Sequence, residues 1–308
     1  MITVSNYHYI RTNFDTKFPS IFGMTPSQFE HQLQLLKNEG DFISPVELVN
    51  NLKDVLSSKS NYYFVTFDDG LKEQYQYALP ILDKLNIPAI FFVNSINFQE
   101  GKVTTVHKIH LLRSVMSATT FLSKLNGIIN IQLSIKEQAH AQTVYRYDNP
   151  DTAALKYLLN FKMSFDDQEN SVGILFQNNF DENEQLESLY MTKDMVVCLA
   201  QRGYLGSHTH HHYPLGLLPE KQIYFELKNS KEFLEGYTDT EVNIVSYPYG
   251  TKEACTDTVA SIAEEIGYKI GFTTQRGNNS ISENLLLLNR YDCNDLPGGK
   301  SFDPKNFI

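Results

Sequence analysis

Tyr62-Tyr63-Phe64-Val65-Thr66-Phe67-Asp68-Asp69-Gly70 is the stretch on which the fold prediction depends. Its aromatic and β-branched run has the length of a strand and ends at two carboxylates and a glycine, which indicates a buried strand followed by a sharp turn. Two adjacent acids at a strand end are costly to hold together unless a metal ion or an arginine lies beside them. The alternative is a solvated Asp-Asp-Gly turn without a function.

A second stretch, Ser207-His208-Thr209-His210-His211-His212-Tyr213-Pro214, contains four of the nine histidines in the chain. Because His208 and His212 are four positions apart, one helical or turn-like face can direct both imidazoles at one ion. With one carboxylate of the aspartate pair they would form a two-histidine, one-carboxylate metal site that keeps positions open for water and substrate. The alternative is an exposed loop or an adventitious metal site.

These stretches resemble motifs of the polysaccharide deacetylase (NodB-homology) family, carbohydrate esterases that remove N- or O-acetyl groups from glycans. Thr66-Phe67-Asp68-Asp69-Gly70 is similar to the first motif and His208-Thr209-x-x-His212 to the second. Ser246-Tyr247-Pro248-Tyr249-Gly250 resembles the third, although an arginine often stands where Ser246 does. The three motifs occur in the family's order, and the resemblance covers most of the chain except a long central stretch.

The resemblance implies a role for each matching residue. Asp69, His208 and His212 are expected to bind the metal, and Asp68 is expected to act as the catalytic base. The backbone N–H of Tyr249 holds the family position for stabilising the carbonyl oxygen as it becomes anionic. Zinc is the expected ion, although this ligand set also accepts other divalent first-row metals.

The missing arginine at Ser246 is the first departure from the family pattern. Arg290, in Leu288-Asn289-Arg290-Tyr291-Asp292, could enter the site from another side and keep Asp68 ionised. The alternative is a surface or strand-end arginine paired with Asp292 or Asp295.

The absence of any histidine after His212 is the second departure, because the family often uses a late histidine as the general acid. Tyr7-His8 followed by a loop, a helix and the aspartate motif resembles the permuted poly-N-acetylglucosamine deacetylase branch, in which an early histidine takes that place. His8 is therefore the predicted acid, and a satisfied core histidine is the alternative. The chain has no tryptophan, so sugar stacking would use a residue such as Tyr213 or Tyr249.

Alternating helical and strand patterns predict a parallel βα series, which tends to close or nearly close. Seven strands are expected, from residues 2–10 to a last strand at Leu285–Arg290. The fold prediction is an α/β protein, a distorted seven-stranded (β/α) barrel like that of the resembling family. Each candidate site residue then lies at the carboxyl end of a strand, where barrel enzymes keep their chemistry.

A compositional shift from about residue 98 to 190 predicts a mainly helical insertion within one barrel domain spanning 1–308. Short helices are expected near 107–125, 133–142, 152–162 and 183–190, with Asp166-Asp167 in a polar loop. The insertion could be a lid, a substrate-shaping subdomain or structural filler.

Charge and composition restrict the remaining classes. The net charge of −10 and the lack of a basic run argue against a nucleic-acid or anionic-membrane partner. No apolar run approaches membrane-spanning length. Three widely spaced cysteines and an N-terminus without a signal pattern favour a reducing compartment, so a cytoplasmic location is expected. Nothing in the sequence indicates the oligomeric state.

The leading hypothesis is a metal-dependent hydrolase that removes an acetyl group from an N-acetylated sugar or glycan. Hydrolysis of a non-sugar carbon–nitrogen bond or of an O-acetyl ester is the alternative within the same fold. A non-catalytic protein that binds glycans or nucleotide sugars is the alternative from another class.

Overall fold

The structure is a computed structural model that describes residues 1–18 and 20–304. Within it the chain forms two compact units. The first comprises Met1–Asn13, Gly23–Lys102 and the described residues from Leu186 onward, and the second comprises Phe14–Phe22 and Val103–Gln185. The second unit includes most of the region expected to be an insertion, and the single-domain assignment of 1–308 stays a prediction.

A parallel sheet forms the first unit. Its strands in the described residues are β1 (Ile2–Tyr7), β2 (Asp41–Phe42), β3 (Tyr62–Phe67), β4 (Ala89–Val93), β5 (Leu205–Ser207), β6 (Ile244–Ser246), β7 (Ile270–Phe272) and β8 (Tyr291–Asp292). Seven strands lie in the order β7-β6-β5-β4-β3-β1-β8, and β2 also pairs with β3. Every pairing between these strands is parallel, which requires a crossover between neighbours. The predicted α/β barrel fold is confirmed as a curled parallel sheet with helical connections.

The two edges of this sheet are linked by the segment before β8. Leu288 forms a parallel bridge with Phe272 of β7, and three residues later Tyr291 pairs with Ser5 of β1. The prediction of a last strand at Leu285–Arg290 is wrong, because that segment starts as a turn, forms a single bridge at Leu288, and the strand begins at Tyr291. Its apolar run reflects burial of alternate leucines rather than a continuous ladder of hydrogen bonds.

Strand β3 is mostly aromatic and apolar because both of its faces are buried. Val65 and Phe67 pack in a cluster that includes helical residues, and Phe67 stacks on Phe91 with ring centroids 4.7 Å apart. Phe64 points the other way and stacks on Phe272 of β7 at 5.7 Å. Alternate residues of a strand face opposite sides, so both faces of β3 are packed. This packing fixes the position of the residues that follow the end of β3.

Helices connect the strands of the first unit and make up most of the second. The α-helices are α1 (Pro26–Lys37), α2 (Pro45–Ser57), α3 (Leu79–Leu85), α4 (Ile96–Gln99), α5 (Thr105–Val115), α6 (Ala118–Ile129), α7 (Ile135–Val144), α8 (Pro150–Tyr157), α9 (Phe165–Gln177), α10 (Glu182–Leu189), α11 (Lys193–Gln201), α12 (Glu220–Thr238) and α13 (Asp257–Ile266). Gln74–Ala78 and Leu158–Lys162 are π-helical, and Leu215–Leu217 and Cys293–Asp295 are 3₁₀ turns. No helix among the described residues is long and apolar enough to cross a membrane.

Two details of the second unit differ from the sequence prediction. The helix expected at 107–125 is two helices, because the chain leaves helical geometry at Met116 and Ser117 caps the next helix. Asp166 and Asp167 are not in a loop but in the first turn of α9, after the capping residue Ser164. Acidic side chains stabilise a helix N-terminus. The acidic pair Asp166-Asp167 therefore indicates the start of a helix rather than a loop.

Candidate active site

Three potential metal ligands meet at the carboxyl end of the sheet. Asp69 follows β3, and His208 and His212 follow β5. Asp69 Oδ1 lies 3.5 Å from His208 Nε2 and 3.3 Å from His212 Nε2, and one ligand atom from each residue lies within 4.8 Å of the others. The side chains are 2–9% exposed. The structure therefore brings together the three residues predicted to bind the metal, although their role as ligands stays a prediction.

The backbone around these residues adopts conformations that are rare outside glycine. Asp69, Thr209, His212 and Tyr249 have φ between 63° and 79°. The other non-glycine residues with positive φ in the described chain are Asn86, Asn130 and Asp239, which end helices and are of types that tolerate this conformation. Left-handed backbone at threonine, histidine and tyrosine costs about 1–3 kcal/mol each and is concentrated at functional sites. A strained turn, and not one face of a helix, therefore brings the His208 and His212 side chains together.

The orientation of His208 is set by the strand next to it. Its Nδ1–H donates to the carbonyl oxygen of Ser246 at 2.8 Å, and a carbonyl can only accept, so in the neutral imidazole the lone pair is on Nε2, the nitrogen that faces Asp69. Burial opposes protonation of this imidazole, but the charges of Asp68 and Asp69 outweigh it and raise its pKa. A lone pair that faces a carboxylate in a buried site is the arrangement expected where a cation binds.

Asp68 is held by an arginine from the far end of the chain. Arg290 Nη1 and Nη2 donate to Asp68 Oδ1 and Oδ2, both at 2.8 Å. Arg290 also donates from Nε to the Thr273 carbonyl at 2.8 Å and from Nη1 to Thr66 Oγ1 at 3.2 Å. Burial would raise the pKa of Asp68, but the Arg290 charge outweighs it and the pKa lies well below its usual range. The alternative partner Asp295 pairs with Arg276 instead.

His8 and Tyr249 border the same group of residues. His8 Nε2 lies 3.9 Å from Asp68 Oδ2, and the His8 side chain is 39% exposed, so it is not a core histidine. The Tyr249 ring packs edge-on against His212 with centroids 5.4 Å apart and is 43% exposed. Tyr213, the other aromatic residue considered for sugar stacking, is buried and stacks on His211 at 5.1 Å, which excludes that role in this structure.

His210 and His211, which had no predicted role, belong to a hydrogen-bond network beside the three candidate metal ligands. His210 contacts Ser95 Oγ at 2.7 Å and Glu100 Oε1 at 3.0 Å. His211 bonds to buried Glu226 through its backbone N–H at 2.7 Å and its Nδ1 at 2.5 Å. These contacts support the strained turn between His208 and His212. Sequence reasoning missed them because residues so far apart in the chain carry no local signal.

The sequence and fold of this chain are similar to those of known proteins. A family model for polysaccharide deacetylase matches residues 57–121 and 174–271. The chain is 28% identical over 114 residues to the Bacillus subtilis protein YxkH, whose name assigns it to the polysaccharide deacetylases. That match covers 37% of this chain and 40% of YxkH, so it spans well under half the length of that relative.

Solved structures with the same fold extend over almost the whole chain. The Streptococcus pyogenes deacetylase PplD, solved with acetate, superposes with a TM-score of 0.54 at 21% identity, covering 99% of this chain and 96% of PplD. IcaB from Ammonifex degensii gives 0.55 at 18% identity, covering 99% and 93%. The deacetylase domain of BpsB from Bordetella bronchiseptica gives 0.56 at 17% identity, covering 94% and 95%. At these identities the likeness establishes the shared fold.

Proposed function

The chain belongs to the polysaccharide deacetylase family, and from this premise we propose that it is a metal-dependent hydrolase that removes an acetyl group from an N-acetylated sugar or glycan. Family membership supports hydrolysis of polysaccharide acetyl groups. The observation that carries the finer proposal is the convergence of Asp69, His208 and His212 beside the paired Asp68 and Arg290.

The three proposed ligands fit a divalent cation. Ligand atoms bound at about 2.0–2.2 Å to a tetrahedral zinc lie roughly 3.4 Å apart, close to the separations of the two imidazole nitrogens from Asp69. Two imidazoles and one carboxylate suit zinc and other first-row metals and leave positions open. A cation held there would supply Lewis-acid polarisation of the acetyl carbonyl and acidify water. We favour zinc as the ion.

Asp68 is suited to take the proton from the attacking water. The Arg290 guanidinium keeps the Asp68 carboxylate ionised and binds both carboxylate oxygens through two parallel hydrogen bonds. The base is therefore oriented before the substrate binds. As the water oxygen attacks the acetyl carbon, negative charge develops on the carbonyl oxygen. The backbone N–H of Tyr249 is our proposed donor to that oxygen, with the strained turn at Tyr249 fixing its direction.

His8 is the proposed general acid. The carbon–nitrogen bond can break only if the departing nitrogen receives a proton with the electron pair, because an unprotonated amide nitrogen is a poor leaving group. His8 is partly exposed and lies 3.9 Å from Asp68, so it borders the same reaction centre from another strand. The products would be acetate and a free amino sugar, with His8 later regaining a proton from Asp68 or solvent.

A substrate panel tests the proposal. Purified protein loaded with Zn²⁺ is incubated with N-acetylglucosamine oligomers of β-1,4 and β-1,6 linkage, UDP-N-acetylglucosamine, O-acetylated sugars and simple N-acetyl amines, and released acetate is measured. Turnover of an N-acetylated sugar that disappears in Asp69→Ala and His208→Ala supports the proposal. Preference for simple amides or esters would favour the other reactions of the fold, and full activity in both variants would refute the metal-dependent mechanism. A cytoplasmic location and the oligomeric state stay untested.

A further inference from the structure

Gln74 is a buried glutamine that contacts the backbone of both proposed proton-transfer residues. Its side chain is fully buried. The amide nitrogen Nε2 donates to the carbonyl oxygen of His8 at 2.9 Å and to that of Asp68 at 2.6 Å. Neither bond involves the acidic or basic side-chain atoms, so Gln74 acts on where these two residues are held and not on their chemistry.

The location of this bridge follows from where two strands stop pairing. The β1–β3 pairing runs to Tyr7 and Phe67, and Asp68 N–H donates to the Tyr7 carbonyl at 3.0 Å. Beyond the last paired residues of these strands, the backbone carbonyl oxygens of His8 and Asp68 both need a hydrogen-bond donor. The Gln74 side-chain amide has two N–H groups and donates one to each of these carbonyl oxygens. The amide oxygen can only accept, so it could not take the place of the nitrogen. The two acceptors therefore fix the orientation of the amide.

The local backbone is arranged to place Gln74 there. Gln74 begins the π-helical turn Gln74–Ala78, in which Leu79 N–H donates to the Gln74 carbonyl. Single π-turns are rare and frequently occur at functional sites. The preceding residue adds a second link to the same segment, because Glu73 binds Arg11 at 2.7 Å, three residues after His8.

The side-chain amide of Gln74 is only partly hydrogen-bonded among the described residues, as is that of Gln142. Gln74 Oε1 is buried and has no hydrogen-bond partner among the described residues. A buried acceptor left in this state costs about 1–3 kcal/mol. Gln32 offers the contrast within the same chain: it is equally buried, but it accepts from Tyr7 Oη at 2.7 Å and donates to the Cys293 carbonyl at 2.8 Å.

We propose that Gln74 is a positioning residue that holds the backbones of His8 and Asp68 in their relative positions at the reaction centre. This inference rests on the proposed function, because it assigns those two residues to the acid and the base. Loss of the Gln74 side chain should slow amide hydrolysis more than ester hydrolysis. Amide cleavage needs both His8 and Asp68 aligned, whereas the good leaving group of an activated ester departs without a general acid.

The test compares Gln74→Met and Gln74→Asn with the matched control Gln32→Met. Each variant is assayed with the N-acetylglucosamine pentamer and with 4-nitrophenyl acetate, and bound zinc and Tm are measured in parallel. We expect kcat for the pentamer to fall about 10- to 100-fold in both Gln74 variants, because misplacement on the order of 1 Å costs up to about 100-fold. KM and zinc content should stay within about two-fold, and the ratio of amide to ester activity should fall. Gln32→Met should lower Tm and leave that ratio unchanged.

Several results would overturn the inference. Gln74 variants with wild-type kcat, with activity lost only in proportion to zinc, or with an unchanged amide-to-ester ratio would each do so. Failure of both variants to fold would make Gln74 a stability residue and would also contradict it. If the wild-type protein hydrolyses neither compound, the proposed function fails instead, which is a separate outcome.

Discussion

Arg290 and Asp68 are 222 positions apart in the chain and form two parallel hydrogen bonds of 2.8 Å in the buried end of the sheet. Arg290 is 1% exposed, and its guanidinium also donates to Thr273 and Thr66. A guanidinium cannot lose its proton in a protein, so this pairing keeps the proposed base ionised and oriented. It supplies the positive charge that the third motif lacks at Ser246.

Arg290→Lys should separate the charge of this pair from its geometry. Lysine keeps a cation but cannot form the planar fork, so we expect kcat to fall about 10-fold or more with bound metal retained. Arg290→Met leaves a buried carboxylate unpaired and should lower the free energy of unfolding by about 3–5 kcal/mol. Arg276→Lys, which changes a partly exposed pair with Asp295 at 3.6 Å, is the control and should have little effect. Wild-type kcat in Arg290→Lys would contradict the role in orienting Asp68.

His8→Ala should distinguish a general acid from a structural histidine. We expect hydrolysis of the N-acetylglucosamine pentamer to fall about 100- to 10,000-fold, because the leaving nitrogen loses its proton donor. Hydrolysis of 4-nitrophenyl acetate should fall only a few-fold, since nitrophenolate leaves without protonation. His31→Ala on the exposed side of α1 is the control. Equal losses on both compounds would assign His8 to another role.

Metal content should report one site per chain. Asp69→Asn, His208→Ala and His212→Ala are each expected to lose bound zinc, measured by elemental analysis after dialysis. Glu100, His210 and His211 also place potential ligand atoms within 4.8 Å of one another. Lys102 already neutralises Glu100 at 2.8 Å, so we expect Glu100→Gln to keep the wild-type zinc content. A second equivalent of zinc that Glu100→Gln removes would refute this reading.

Gly250→Ala should show that the turn carrying Tyr249 is tightly packed. Gly250 has φ +63° and a Cβ added there would lie 2.3 Å from the Thr274 backbone nitrogen. Gly101 has the same φ of +63° and open space around the added Cβ. Gly101→Ala should therefore lower the free energy of unfolding only by the cost of left-handed backbone, about 1–2 kcal/mol. Gly250→Ala should lower it further and should also lower kcat. Thermal unfolding and kinetics of both variants test this, and matching effects would refute it.

Thiol labelling should find one accessible cysteine in the native protein. Cys255 and Cys293 are buried and Cys198 is partly exposed. Burial raises the pKa of Cys255 to about 12, above the unfolded value of about 8.5. The folded state thus favours the protonated thiol, and this contribution to stability is present below about pH 8.5 and lost as the pH rises toward about 12. With a disulfide reagent at pH 8, we expect one thiol in the native protein and three after denaturation. Cys198→Ser should remove the native signal, and rapid labelling of two or three would contradict the burial.

The histidine motif shows how a spacing pattern can select residues that meet in the structure without deciding between a helical and a turn-like geometry. Spacing four apart selected His208 and His212, but the chain between them turns through left-handed backbone at Thr209, braced by carboxylates from distant elements. The apolar leucines favour a strand at Leu285–Arg290, yet within that segment only Leu288 forms a bridge to the neighbouring strand. Hydrophobic pattern reports burial, whereas strand pairing depends on where a neighbour's backbone lies.

The residue types at the site and the approximate positions of strands β1 and β3 to β7 could be predicted from the chain alone, because apolar runs of strand length and the turn residues that end them are local properties. Those runs place Asp68, Asp69 and His208 at strand ends. Only the folded structure decided which arginine pairs with Asp68 and which glutamine bridges it to His8. Both partners are brought there by the curling of the sheet and the packing of helices, and contacts between side chains so distant in sequence leave no periodic trace in it.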